Sequence, residues 1–305
     1  MTSLTIFSPS GVIASAAPLR RAAKRLVALG FDVALDAAAL ARHQRFAGDD
    51  ETRLAALHRV AAEAPDIAMA SRGGYGLTRL LDRIDWKLLA RSAERGTRWV
   101  GHSDMTLLQL GLLAHAGARS WAGPMACYDF GRASEEHGEK AVPAVDDVTQ
   151  ACFVEAMDGS LEAVGFRTGP GFDGLQARGT LWGGNLCLLA SLLATSHLPK
   201  IRGGVLFLED VNEHPYRIER SLLQLHQAGV LGAQKAVLLG SFTEFRASPL
   251  DRGYTLARAI EHLRSLTKTP IFTGLPFGHV PTKVCLPVGA KVTLLVQGRD
   301  VLIGW

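Results

Sequence analysis

The chain has 305 residues, 48% of them hydrophobic, and 33 basic against 29 acidic side chains leave a net charge of +4. This length and composition are typical of an ordinary globular protein that buries a large core in one large or two medium domains. The basic residues form no long block and no segment reaches the ~20 apolar residues of a membrane span, so neither nucleic acid nor a membrane is expected as a partner.

The first third of the chain alternates short β-rich runs with amphipathic helical patterns, which is typical of βαβ units around a parallel sheet. The pattern predicts strands over 4–8, 67–71 and 98–101 and a helix over 18–29. Two turns that follow strands are candidates for a functional site. One is rich in glycine at 72–76, and the other carries Ser103. We therefore predict an N-terminal α/β domain over 1–130, flavodoxin- or Rossmann-like, with its ligand site at the carboxyl edge of the sheet.

A polar, charged stretch then predicts a linker over 131–165. Beyond it the sequence has more strands per helix, which predicts a C-terminal mixed β/α domain over 166–305. In this domain an apolar strand over 204–208 runs into Glu209, and Pro215 opens the next helix. A later strand leads into a loop rich in Gly and Pro that closes at His279.

Ser103 lies in a tight turn between a strand and a helix. A side chain there stands clear of the strand end, and the first free N–H groups of the helix point at any anion formed beside it. The turn resembles the nucleophile elbow G-x-S-x-G, except that Met105 occupies the place of the last glycine. The alternatives are that Ser103 only caps the helix, or that Ser241, after another predicted strand, is the nucleophile instead.

Glu209 and His279 follow Ser103 in the order nucleophile, acid, base. Glu209 is the preferred acid because a strand-end residue is held rigidly, and orienting an imidazole requires a fixed acceptor. His279 is the preferred base. The competing residues are Asp210 and Glu213 for the acid, and His102 and His214 for the base.

The glycine-rich turn at 72–76 lacks the lysine of a P-loop and does not match G-x-G-x-x-G, which argues against a nucleotide site. Its glycines permit close backbone approach, so we predict that the N–H of Gly74 joins that of Asp104 as an oxyanion donor, the alternative being a simple tight turn. The chain has no clustered Cys and His and no H-E-x-x-H helix, so the expected chemistry needs no metal.

Four segments together resemble one enzyme family, and they cover nearly the whole chain in the same order. The segments are RGGYG (72–76), GHSD (101–104), LFLEDVNE followed by PYR (206–217), and GLPFGH (274–279). The sequence is therefore similar to the LD-carboxypeptidases, the muramoyltetrapeptide carboxypeptidase family of serine peptidases. The resemblance implies a triad of Ser103, Glu209 and His279, a two-domain α/β fold, no metal or other cofactor, and a homodimer.

The resemblance also implies the substrate, a murein tetrapeptide that loses its terminal D-alanine during cell-wall recycling in the cytoplasm. Four widely spaced cysteines, expected to be reduced, and an N-terminus without a secretion signal agree with that compartment. Two alternatives stay open. One is a serine amidase of the same family that cleaves peptide-nucleotide antibiotics, and the other is a non-catalytic protein whose glycine turns bind a small anion.

Overall fold

The computed structural model describes residues 1–133, 135–137, 140–142 and 145–305, so parts of the predicted linker lie outside the described residues. The strands of the first half are β1 (Thr2–Phe7), β2 (Phe31–Leu35), β3 (Ile67–Ala70), β4 (Arg98–Gly101), β5 (Ser120–Ala122), β6 (Glu135–His137) and β7 (Lys140–Val142). The helices are α1 (Ala16–Ala28), α2 (Asp50–Glu63), α3 (Trp86–Glu94), α4 (Met105–Ala116) and α5 (Asp147–Asp158).

In the second half the strands are β8 (Ala163–Arg167), β9 (Gln176–Asn185), β10 (Val205–Val211), β11 (Ala236–Thr243), β12 (Ile271–Thr273), β13 (Leu286–Val288), β14 (Lys291–Gln297) and β15 (Asp300–Gly304). The helices are α6 (Leu186–Ser191), α7 (Pro215–Gln227) and α8 (Leu256–Leu266). No helix in the described ranges is long and apolar enough to cross a membrane.

The first sheet has the order β13-β5-β4-β3-β1-β2. Its first five strands in the chain are parallel and follow the flavodoxin order, which confirms the predicted fold class. The central strands β3 and β4 are apolar because helices cover both faces of a parallel sheet. The sixth strand, β13, comes from near the end of the chain and pairs antiparallel with β5, so it covers an edge that would otherwise be open.

The second sheet has the order β12-β11-β10-β9-β14-β15-β8 and is mixed, as predicted. The ten-residue strand β9 joins its two halves, because one end pairs parallel with β10 and the other end pairs antiparallel with β14. Residues that follow β10, β11 and β12 in the parallel half line one cavity together with Ser103, which follows β4 of the first sheet. Glu209 lies within β10, which continues to Val211, beyond the predicted end of that strand.

The two sheets share their apolar interior. One buried cluster contains Val100 of β4 together with Phe207 of β10, and another contains Trp99 of β4 together with Trp182 of β9. Helix α5, inside the range predicted as a linker, packs Phe153 against the first sheet's apolar side chains. The boundaries 1–130, 131–165 and 166–305 themselves stay a prediction.

Candidate active site

Ser103 occupies the turn between β4 and α4, and its backbone is strained. Its φ of +61° lies in the left-handed region, which a residue with a side chain seldom adopts outside special turns. The carbonyl of Ser103 accepts a 2.9 Å hydrogen bond from the N–H of Thr106, so the first turn of α4 fixes this conformation. Among the described residues, the Ser103 hydroxyl makes no capping bond to α4, where Asp104 occupies the N-cap position.

The glycine-rich turn packs directly on Ser103. A Cβ added to Gly73 would lie 2.6 Å from Ser103 Oγ, so only glycine permits this approach. The Asp104 carboxylate accepts a 2.9 Å hydrogen bond from the N–H of Leu77, which ties the turn to the start of α4. Within the described ranges, the N–H groups of Gly74 and Asp104 have no hydrogen-bond acceptor. Both N–H groups are therefore available as donors, one in the glycine-rich turn and one directly after Ser103.

Glu209 and His279 are joined by a direct hydrogen bond. His279 Nδ1 lies 2.8 Å from Glu209 Oε2, and the Glu209 side chain is fully buried. The other carboxylate oxygen accepts from Asn185 Nδ2 at 3.2 Å. Gly278 lets the loop come this close, because a Cβ there would lie 3.2 Å from Glu209 Oε2. The carboxylate is thus held on both oxygens, and one of them orients the imidazole.

The two competing acids have other partners. Asp210 accepts hydrogen bonds from the N–H of Cys187 and from Asn185 Nδ2, both at 2.9 Å, and its burial raises the pKa of this carboxyl to about 6. Glu213 lies 3.8 Å from Arg217. Neither carboxylate contacts His279 among the hydrogen bonds of the described chain. The structure therefore brings Glu209 alone of the three to this imidazole.

The two competing histidines also have other roles. His102 Nδ1 donates a 2.9 Å hydrogen bond to the carbonyl of Gly123, and burial holds the pKa of His102 well below its usual value. Its neutral ring packs edge-on against the ring of His279, with centroids 5.0 Å apart. His214 caps α7 and lies 3.1 Å from Asp251. His279 is the one of the three whose ring nitrogen contacts Glu209.

Ser103 and His279 line the same cavity, which measures about 690 Å³. No hydrogen bond joins their side chains within the described structure; such contacts are often loose before a substrate binds. The cavity also exposes Arg72 and Tyr128, which the sequence patterns did not single out. Arg72 is the first residue of the glycine-rich turn at 72–76, a signal that was available, whereas Tyr128 follows no recognisable motif.

Contacts between the two sheets hold the halves of the site together. Thr106 of α4 accepts a 3.0 Å hydrogen bond from the N–H of Asn185 at the end of β9. A Cβ on Gly184 would lie 2.5 Å from the Thr106 hydroxyl, so glycine is needed for this approach. A buried ion pair joins Asp129 to Lys283, and the Lys283 ammonium lies 5.2 Å from the ring centroid of Tyr128, which lines the cavity. Ser103 is therefore positioned relative to His279 by tertiary packing.

The described residues contain no group of three or more His, Cys, Asp or Glu side chains that is arranged to hold a metal ion. The site consists instead of a serine on a strained turn, a carboxylate-bound imidazole and two available backbone N–H groups. Such an arrangement is chemically suited to attack on a carbonyl carbon, because it combines a nucleophile, a proton acceptor and donors for the resulting oxyanion.

Comparison with known families and proteins gives consistent matches along the chain. Residues 4–123 match the LD-carboxypeptidase N-terminal domain, and residues 178–294 match the LD-carboxypeptidase C-terminal domain. A probable murein peptide carboxypeptidase of Bacillus subtilis is 31% identical over 300 residues, which are 96% of this chain and 90% of that protein.

Two solved structures share the fold. A muramoyltetrapeptide carboxypeptidase from Oxalobacter formigenes superposes with a TM-score of 0.87 at 39% identity, covering 99% of this chain and 98% of its own. The microcin C7 self immunity protein MccF, solved with aspartyl sulfamoyl adenosine, gives a TM-score of 0.84 at 20% identity over 99% of this chain and 96% of its own. At that identity the second likeness shows the fold alone.

Proposed function

The chain belongs to the LD-carboxypeptidase family of serine peptidases, and from this premise we propose that it removes the terminal D-alanine of murein tetrapeptides by hydrolysing the preceding L,D bond. The names of the relatives from Bacillus subtilis and Oxalobacter formigenes support this substrate class. The observation that carries the proposal is the hydrogen bond from His279 to the buried Glu209, at the cavity that also holds Ser103.

In the proposed reaction Ser103 attacks the carbonyl carbon of the L,D bond. His279 accepts the serine proton and then donates a proton to the departing amine of D-alanine. Because Nδ1 of His279 faces the Glu209 carboxylate, Nε2 is the basic nitrogen, and Glu209 stabilises the imidazolium that forms. Water then hydrolyses the acyl-serine and releases the shortened peptide.

The N–H groups of Asp104 and Gly74 are the proposed oxyanion donors. Asp104 directly follows Ser103, and Gly74 directly follows Gly73, which packs on Ser103. Neither N–H group has a competing acceptor in the described chain. A preorganised donor of this kind contributes roughly 3 kcal/mol to transition-state stabilisation. The carboxylate of Asp104 assists indirectly, since its hydrogen bond to Leu77 holds the glycine turn in place.

Arg72 is the proposed partner of the substrate's terminal carboxylate. A carboxypeptidase must recognise that negative charge, and Arg72 is the one lysine or arginine among the described residues that line the cavity. One guanidinium nitrogen donates a 3.0 Å hydrogen bond to the carbonyl of Val12, which orients the side chain beside the glycine turn. Its remaining N–H groups make no hydrogen bond to the described residues and can bind a carboxylate in a forked geometry.

We also propose that the protein is a homodimer and that it acts in the cytoplasm, in cell-wall recycling. This part rests on the family resemblance. Light scattering during size-exclusion chromatography of the purified chain tests the dimer directly: a mass close to twice 32.7 kDa is expected, and a monomer at micromolar concentration contradicts it.

The substrate proposal is tested by comparing three peptides. We expect release of D-alanine from the tetrapeptide that ends in an L,D bond. We expect little release of L-alanine from the isomer whose last residue is L-alanine, and little release of D-alanine from a pentapeptide that ends in a D,D bond. Inverting the terminal residue moves its methyl and carboxylate, which displaces the scissile carbonyl of the preceding residue from the nucleophile and the oxyanion donors, and a misplacement of ~1 Å can cost about a hundredfold in rate. Equal cleavage of all three, measured as free amino acid, overturns the proposal, and cleavage of a peptide-nucleotide conjugate alone favours the amidase alternative.

A further inference from the structure

A second cavity adjoins the one that holds Ser103. It measures about 380 Å³ and is lined by Asn212, His214, Tyr216, Arg217, Phe245 and Arg246. Asn212 lines both cavities, and Glu244 of the first precedes Phe245 of the second in the chain. The two cavities are therefore neighbours that share a wall residue, and together we call them the groove, which extends from Ser103 toward the start of α7.

The walls of this second cavity combine aromatic surfaces with guanidinium groups. Tyr216 is 54% exposed and Phe245 is 38% exposed, so both present large apolar faces to solvent. The His214 ring supports both, with ring centroids 4.7 Å from Tyr216 and 6.1 Å from Phe245. Exposed aromatic side chains beside arginines are characteristic of surfaces that bind a partner molecule.

The charges in the second cavity favour an anionic ligand. Arg217 lies 3.8 Å from Glu213 at its nearest approach, and His214 is paired with Asp251 at 3.1 Å. Arg246 forms no ion pair with any residue of the described ranges and lines the cavity directly. Its guanidinium is thus the cation available to a ligand, with Arg217 next to it.

We propose that this second cavity is an acyl-side subsite that binds a carboxylate in the part of the peptide that is retained after cleavage. The inference rests on the proposed function and deepens it. The leaving group of the proposed reaction is a single alanine, so the parts of the substrate farther from the scissile bond all belong to the acyl side. In this proposal the groove beyond Asn212 receives the acyl part, which in a murein tetrapeptide carries the free α-carboxylate of its γ-linked D-glutamate.

The experiment uses two tetrapeptides that differ only in that carboxylate, one with free D-glutamate and one with D-isoglutamine. Steady-state kinetics of D-alanine release are measured on both for wild type, Arg246→Gln and Arg217→Gln. Arg258→Gln is the matched control, because that arginine is 71% exposed on α8 and lies outside the groove.

We expect wild type to have a KM about tenfold lower for the free acid than for the amide, the effect of one charge-assisted hydrogen bond. Arg246→Gln should raise KM for the free acid about tenfold, leave kcat within about twofold, and remove the discrimination between the peptides. Arg217→Gln should act in the same direction with a smaller factor, and Arg258→Gln should behave as wild type.

Discrimination that persists unchanged in Arg246→Gln, or wild-type KM values that are equal for the two peptides, overturns the subsite while leaving the proposed function intact. Absence of D-alanine release from either peptide by wild type overturns the proposed function, and the subsite with it.

Discussion

The two halves of the site are organised in opposite ways. Glu209 and His279 form a finished pair, with a 2.8 Å hydrogen bond and a carboxylate that Asn185 holds from the other side. Ser103 is held by its backbone instead: its φ is +61°, and no described side chain hydrogen-bonds its hydroxyl. The acid-base pair thus depends on side-chain contacts, whereas the nucleophile depends on the shape of one turn.

This difference predicts which kind of substitution should inactivate each half of the site. A substitution of Glu209 or His279 should alter charge and proton transfer without moving the backbone, because Glu209 lies in the second sheet among buried strands. A change at the glycine turn should move Ser103 itself, because Gly73 packs on its side chain and the Asp104 carboxylate ties this turn to the start of α4. Four substitutions test this comparison, in order of decreasing expected effect.

Ser103→Ala should have the largest effect, because it deletes the nucleophile and leaves the turn intact. We expect kcat/KM for D-alanine release to fall by about 10⁶-fold, as when a triad serine is removed. Circular dichroism and the thermal midpoint should stay close to wild type. Substantial turnover by a well-folded Ser103→Ala protein would exclude Ser103 as the nucleophile.

Glu209→Gln should rank second. The replacement keeps the shape but loses the charge that stabilises the His279 imidazolium, so kcat should fall by about 10⁴-fold. Asp210→Asn and Glu213→Gln are the controls, since neither carboxylate contacts His279 among the described residues, and both should retain most activity. A greater loss in either control than in Glu209→Gln would reassign the acid.

Gly73→Ala tests the nucleophile half through its backbone. The new Cβ would lie 2.5 Å from the Cβ of Ser103, so either the turn or the serine must shift. A displacement of ~1 Å is enough to reduce kcat about a hundredfold. Gly232→Ala is the matched control, because no atom of the described residues lies within 4 Å of its added Cβ. Equal activity of the two variants would show that close packing of the glycine turn is unimportant for Ser103.

Asp104→Asn should have the smallest effect, seen in the pH dependence of stability. Burial raises the pKa of Asp104 to about 6 from the usual 3.8. The folded state then holds the proton more tightly, so this group contributes stability that is complete below a pH of about 4 and is lost as the pH rises through about 6.

The asparagine in Asp104→Asn does not titrate, so this contribution to the pH dependence of stability is removed. The change in unfolding free energy between pH 4 and pH 7.5 should therefore differ from wild type by on the order of 1–3 kcal/mol, measured by denaturant titration. Asp210, whose pKa burial also raises to about 6, provides the same test in the other half of the site through Asp210→Asn. Superimposable pH profiles for wild type and both variants would contradict these shifts.

The sequence by itself determined the fold class and the local geometry at Ser103. Alternating strand and helix patterns predicted the parallel first sheet, and the strand over 98–101 has the predicted bounds. These features can be predicted from sequence because they depend on residues that are neighbours in the chain. They are the periodicity of side chains, the break at a turn and the free N–H groups at the start of a helix. The three candidate acids and three candidate histidines, by contrast, were nearly equivalent in local pattern.

Tertiary structure decided which of those candidates meet. Glu209 reaches His279, 70 residues away, because β10 lies beside β11 and the loop of Gly278 packs against it. The placement of β13 in the first sheet and the Asp129–Lys283 ion pair, 154 residues apart, likewise depend on how the sheets pack. No local period encodes such contacts, because their stability comes from burial and hydrogen bonding between segments that only the folded chain brings together.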